Sequence, residues 1–178
     1  MSRKAAVFWP VVLGVVIADV ATKQLAVARL SPPYIPHDVV GRFVRLTLAY
    51  NPGAAFSMSL GSASRWGFAA LAVIALSVLY LVYRNAEPDD VVQALALALI
   101  AGGALGNLAD RLRSARGVVD FIDIGTASWR FWTFNVADMG VTCGAILLAW
   151  TLWRRGRHVP TPAAPEKAHL SDEQAPTA

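Results

Sequence analysis

The chain has 178 residues, 56% of them hydrophobic and 16% charged, where a soluble domain has roughly 45–50% and 25%. The apolar residues gather in blocks and the mean hydropathy is +0.47, which excludes a disordered chain, a disulfide scaffold built on the single Cys143 and an ordinary water-soluble enzyme. The net charge of +4 sits on arginines at the ends of those blocks and forms no basic and aromatic surface, so no nucleic-acid partner is expected.

Crossing about 30 Å of hydrocarbon takes roughly 20 helical residues, and four segments meet that need. The first runs from Ala5 to about Leu30 and carries no charge before Asp19 and Lys23. A cleaved signal peptide would use Arg3-Lys4, then Ala5–Ala18, then Ala26-Val27-Ala28 as its cleavage site. Asp19 and Lys23 fall where such peptides are uncharged, so a retained helix is expected. The loop 31–65 follows. Its run Phe43–Tyr50 is β-prone and partly alternating, and Pro32-Pro33 and Asn51-Pro52-Gly53 punctuate it, so a small sheet is expected at the outer surface.

The second span, Trp66 to Tyr83, has no charge and has aromatic residues at both ends as interfacial anchors. The third covers 91–108, and a second outer loop fills 109–135. The fourth, 136–153, carries Trp150 and Trp153 as anchors and stops at Arg154-Arg155. Residues 1–155 thus form one membrane domain of four transmembrane helices, and 156–178 a disordered cytoplasmic tail. Arg3, Lys4, Arg154, Arg155 and Arg157 place both termini in the cytoplasm. The signal is mixed, because Arg42, Arg45, Arg111, Arg113, Arg116 and Arg130 lie in the opposite loops.

Charged side chains within a span cost about 2.5–3.5 kcal/mol each, so their presence needs a reason. Asp19 and Lys23, four apart with the acid first, share a helix face as an ion pair. Gly102 and Gly106 make a small-residue face for close helix approach. Asn107-Leu108-Ala109-Asp110 recurs as Asn135-Val136-Ala137-Asp138. Either motif suits a helix cap, but Asp110 sits at a helix C-terminus, where the macrodipole disfavours a carboxylate, so one of the two acids must be held otherwise. Between them, Asp120 lies among Val118, Val119, Phe121 and Ile122, an apolar setting that raises a carboxyl pKa. Two carboxyls brought close divide one proton, one acting as base and the other as acid, which is what water-mediated peptide hydrolysis needs. Asp19, Asp110, Asp120, Asp123 and Asp138 are all available, and residue physics alone leaves the choice of pair open. His37, His158 and His169 lie outside the spans, which leaves serine–histidine, cysteine–histidine and zinc chemistry without a histidine in them.

In order along the chain stand Asp19-Val20-Ala21-Thr22-Lys23, Asn51-Pro52-Gly53-Ala54-Ala55-Phe56-Ser57, Gly102 through Arg111, Val118-Val119-Asp120-Phe121-Ile122-Asp123 and Phe134-Asn135-Val136-Ala137-Asp138. With four spans, this series closely resembles the bacterial lipoprotein signal peptidases, or signal peptidase II, a family of intramembrane aspartic peptidases. The family often has threonine where Pro52 stands. The resemblance implies an all-α integral membrane fold, four transmembrane helices with a small extracytoplasmic β-cradle, in the bacterial inner membrane. It implies an endopeptidase that removes signal peptides from prolipoproteins, cutting before a cysteine that bears diacylglyceryl. It assigns catalysis to Asp120 and Asp138, lining roles to Asn51, Asn107, Arg111 and Asn135, and support to Asp19, Lys23 and Asp110. Neither metal nor organic cofactor is expected, and the partners are the lipid-bearing substrate and membrane lipid. Two other chemistries compete: a peptidase with Ser57 or Ser59 as nucleophile and Lys23 as base, and a proton-coupled transporter that uses the intramembrane acids as a relay.

Overall fold

The computed structural model describes residues 2–53 and 62–157. Four helices, α1 (Arg3–Arg29), α2 (Ser62–Asn85), α3 (Val91–Arg113) and α4 (Val136–Gly156), are each long and apolar enough to cross a membrane. A three-stranded antiparallel sheet, β1 (His37–Val40), β2 (Val44–Asn51) and β3 (Val118–Ile124), has the order β1-β2-β3. Ser57, Ser59, His158 and His169 lie outside the described residues, as does the expected tail beyond residue 157.

α3 is the central post. It packs on α1, α4 and α2, and its buried face is built of Ala94, Ala96, Ala98, Ala101, Gly102, Gly103 and Gly106 with Leu97 and Gln93. Small residues let backbones approach where lipid removes any hydrophobic preference for one helix over another. Gly102 and Gly106 face α1, against Val15 and the Asp19 carboxyl, while Gly103 meets the Ala137 carbonyl of α4. The outward faces of α1, α2 and α4 expose Leu13, Ile17, Leu71, Ile74, Leu81, Ile146 and Leu152, the surface a hydrocarbon solvent requires.

α3 runs about one turn beyond the expected boundary at 108, so Asp110 and Arg111 belong to its last turn and not to a loop. Tyr83 also departs from expectation. It is buried and stacks on Phe8 at 4.1 Å, packing α2 onto α1, while Trp66 at the other end of α2 is exposed. Two charges used to orient the chain are engaged within the protein. The Lys4 ammonium donates to the carbonyls of Tyr83, Arg84 and Ala86 at the C-terminal end of α2. Arg155 pairs with Asp90, the N-cap of α3, and donates to Gln93.

β2 forms from the alternating run read in the sequence, but its partner β3 comes from the second outer loop, where no strand was expected. Val118-Val119 and Phe121-Ile122 are β-branched and aromatic residues suited to a half-buried strand. Ala49 opposes Asp120 and Asn51 opposes Val118, with an irregularity between Leu46 and Ala49. The inner face buries Leu48 and Phe121 against Ala26 of α1 and Leu30, its C-cap, which seats the sheet on one end of the bundle.

The close approach of α3 to α4 is testable at Gly103, where a Cβ would run into the Ala137 carbonyl and the Val141 side chain. Gly103→Leu is expected to cost about 1–3 kcal/mol or more by overpacking, read as a lowered thermal unfolding midpoint in detergent. Gly14→Ala, where nothing lies within 4 Å, should not lower the midpoint, since alanine favours a helix interior over glycine.

Candidate active site

Asp19, Lys23, Asn107, Asp110, Asp120, Asn135 and Asp138 meet at the end of the bundle that carries the sheet. The network starts from α1. Lys23, only 4% exposed, places its Nζ 2.7 Å from Asp19 Oδ2, 2.9 Å from Asp110 Oδ2 and 2.9 Å from Asn107 Oδ1. An ammonium has three N–H bonds and no acceptor, so all three are used. Asp19 reaches α4 through its other oxygen, which accepts the Ala137 N–H at 3.0 Å. Asp110 also accepts the Val119 N–H of β3 at 3.2 Å. Its carboxylate at a helix C-terminus is therefore held by a lysine and a strand amide, which resolves the macrodipole conflict without capping.

Because Lys23 can only donate, Asn107 must turn its Oδ1 toward it, and its Nδ2 then donates to Asp138 Oδ1 at 2.8 Å. Asn135 N-caps α4 in a capping box: its Oδ1 accepts from Asp138 N at 3.0 Å, and its own N donates to Asp138 Oδ2 at 3.1 Å. The Asn135 Nδ2, fully buried, donates to Asp120 Oδ1 at 2.7 Å. Both carboxyls are thus hydrogen-bonded to one residue, one from a strand and one from the first turn of a helix.

Asn51 ends β2 and begins a turn in which Gly53, at φ +110°, donates its N–H to Asn51 Oδ1 at 3.0 Å. That positive φ suits glycine, and the turn aims the Asn51 side chain at Asp120, to which it hydrogen-bonds. Burial chiefly, and then the neighbouring Asp138 carboxylate, push the Asp120 carboxyl up to about 7; bonds from Asn135 and Asn51 and the Lys23 charge oppose this. Arg111 lies in the field of Asp110, Asp120 and Asp138. Its guanidinium donates to Asn107 O at 3.2 Å and stands 5.5 Å from the Phe68 ring, and its buried Nε has no hydrogen-bond partner among the described residues.

Asp123 stands apart from this group. Three residues from Asp120 on a strand, it faces the opposite side and pairs with Arg130 at 2.6 Å. Phe68 and its neighbours in the first turn of α2 were not foreseen as part of the site, since a serine, an arginine and aromatic residues opening a span give no chemical signal in sequence. Among the described residues no three histidine, cysteine or acidic side chains are grouped to hold a metal ion.

Fold and site together define a polytopic membrane protein with a buried carboxyl, Asp120, beside a partly buried one, Asp138, at one end of a four-helix bundle. A family model described as signal peptidase (SPase) II matches residues 11–154. A lipoprotein signal peptidase of Hydrogenovibrio crunogenus is 36% identical over 166 residues, 89% of each chain. One of Paraburkholderia phytofirmans is 42% identical over 150 residues, 83% of this chain and 84% of its own. Two solved structures of bacterial membrane enzymes superpose with TM-scores of 0.72 and 0.70, at 28% and 31% identity. The first covers 93% of this chain and 92% of its own, the second 80% and 89%. The chain belongs to the signal peptidase II family and is a membrane-embedded protease.

Removing the ammonium tests the network's anchor. Lys23→Met leaves Asp19 and Asp110 without their buried countercharge and is expected to cost about 3–5 kcal/mol, seen as a lower unfolding midpoint and poor recovery of folded protein from detergent.

Proposed function

We propose that the chain removes signal peptides from prolipoproteins, cutting before a cysteine that carries diacylglyceryl, with Asp120 and Asp138 dividing one proton around a bound water. The observation that carries this reading is the convergence of the two carboxyls on Asn135, with Asp120 displaced to about 7. Asp138, which accepts N–H groups on both oxygens, is the ionised partner, and Asp120 holds the proton.

In this reading Asp138 takes a proton from the water as its oxygen attacks the scissile carbonyl, and Asp120 gives its proton to the carbonyl oxygen. When the tetrahedral intermediate collapses, Asp138 passes its proton to the departing amine and Asp120 recovers one from a hydroxyl, so the pair ends as it began. Asn51 and Arg111, with its unused Nε, bind substrate carbonyls, and Asn107 and Asn135 hold the pair in register. The acyl chains of the substrate stay in the bilayer while the bond to be cut reaches the bundle end. The arginines and lysine near both termini favour a cytoplasmic location for them, with the sheet and the site at the extracytoplasmic face. Lys23, with every N–H bond taken, gives no support to a serine mechanism.

Incubating the purified protein with a diacylglyceryl-modified prolipopeptide should release the signal segment at the bond before the cysteine. Asp120→Asn and Asp138→Asn should each lower turnover by about 10²–10⁴-fold or more while the proteins remain folded. Substantial turnover by either variant removes that residue from the mechanism.

The pH dependence has a definite sign. Protonated Asp120 is lost as pH rises through about 7, so kcat/KM should fall on the alkaline side through that value. A carboxyl whose folded pKa exceeds its unfolded value, about 4, favours folding in its protonated form. That contribution is complete below about pH 4 and is lost as pH rises through about 7. Asp120→Asn should therefore flatten the decline of the unfolding midpoint between those values.

A further inference from the structure

We infer that Arg65 and Ser64, in the first turn of α2, are positioning residues that hold the two substrate-binding groups, Arg111 and Asn51, in a common frame; the inference rests on the peptidase reading above. Neither residue belongs to the recurrent Asn-x-Ala-Asp motifs or touches either aspartate.

The geometry is specific. An α-helix ends with carbonyls that have no intrahelical partner, and a basic side chain at that end is favoured by the macrodipole. Arg65 supplies this to α3 from outside: its Nε donates to the Arg111 carbonyl and one terminal nitrogen to the Leu112 carbonyl at 3.3 Å. The guanidinium also lies 4.6 Å from the Trp66 ring, which restricts its direction. Arg65 thereby fixes the backbone from which Arg111 extends. One residue earlier, Ser64 is 3% exposed and donates to the Gly53 carbonyl at 2.7 Å. Gly53 is the residue whose N–H orients Asn51. It packs so tightly here that a Cβ on it would lie 2.9 Å from Phe68 and 3.0 Å from Ser64 Oγ. Phe68, a turn further along α2, carries the Arg111 guanidinium on its ring. A single helical turn thus sets the distance between a donor at the end of β2 and a donor at the end of α3. The aspartates take their bonds from Asn135 and Asn107, and of the two substrate-binding groups only Asn51 also bonds one of them, Asp120, so the arm from Arg65 to Arg111 is separate from the pair.

That separation makes the consequence measurable. Groups that bind substrate carbonyls alike in ground and transition states act on KM, whereas the aspartate pair acts on kcat. Steady-state cleavage of a diacylglyceryl prolipopeptide by the full chain in detergent is compared for wild type, Arg65→Gln, Arg65→Lys and Ser64→Ala, with rates expressed per folded enzyme. Arg65→Gln should raise KM by about tenfold with kcat within about twofold and the pH profile unmoved. Arg65→Lys, which keeps the charge and one contact, should recover part of the loss, and Ser64→Ala should raise KM by a smaller factor. An unchanged KM in Arg65→Gln beside a lowered unfolding midpoint overturns the inference, because the contact is then structural only. A fall in kcat at constant KM overturns it as well. If Arg65→Gln does not fold, Ser64→Ala and Arg65→Lys decide by the same KM criterion. Failure of the wild type to cleave the lipopeptide would instead sink the peptidase reading itself.

Discussion

A positive charge inside a membrane-spanning helix can be kept only if each of its N–H bonds ends on an acceptor, and Lys23 imposes that condition on the whole end of the bundle. To meet it, α1 must bring Asp19 to the ammonium, and α3 must bring both Asn107 and Asp110. Asp19 in turn reaches the backbone of α4. Three helices are thereby referenced to one nitrogen atom. The packing follows from this: Gly106 lacks a side chain because the Asp19 carboxyl occupies the space a Cβ would take. The orientation of the Asn107 amide follows as well, since a donor-only partner decides which end of that amide faces Asp138.

The elements along the helices were largely legible because lipid simplifies the code. Long apolar blocks had to be helices, and the polar residues interrupting them stood out against that background. The spacing of Asp19 and Lys23 announced a shared face, and the conflict between Asp110 and its helix end announced a partner elsewhere. What periodicity could not show was who that partner was, because Lys23 and Val119 reach Asp110 from a different helix and a strand. Likewise five acids were visible, of which Asp123 alone had no oddity of position, and tertiary geometry shows why: Asp123 is tied to Arg130 and Asp120 to Asn135. The motif resemblance named Asp120 and Asp138 where residue physics had left the pair open.

The sheet was half legible for a related reason. β2 has a local signal, an alternating run closed by Asn-Pro-Gly, whereas β3 acquires its identity as a strand from pairing with residues two spans earlier in the chain. Its central acid made it look like chemistry before it looked like structure. The residue belongs to both the ladder and the polar cluster, since Asp120 opposes Ala49 and its carboxyl accepts from Asn135. Tyr83 shows the opposite error. An aromatic residue at a span end fits the interfacial pattern, yet a neighbour with a flat ring, Phe8, offered better packing than the membrane surface did.

The capping box at the start of α4 joins helix stability to acid–base state. Asp138 closes the box through Oδ2 while its other oxygen is held by Asn107. In the proposed reading, with Asp138 as the base, the hydrogen it collects during each turnover would weaken one of these acceptors and loosen the opening turn of α4 until the amine departs. The helix end would then breathe in step with the reaction, and a molecule that trapped the loaded state would be recognised by a slackened helix as much as by a filled cleft.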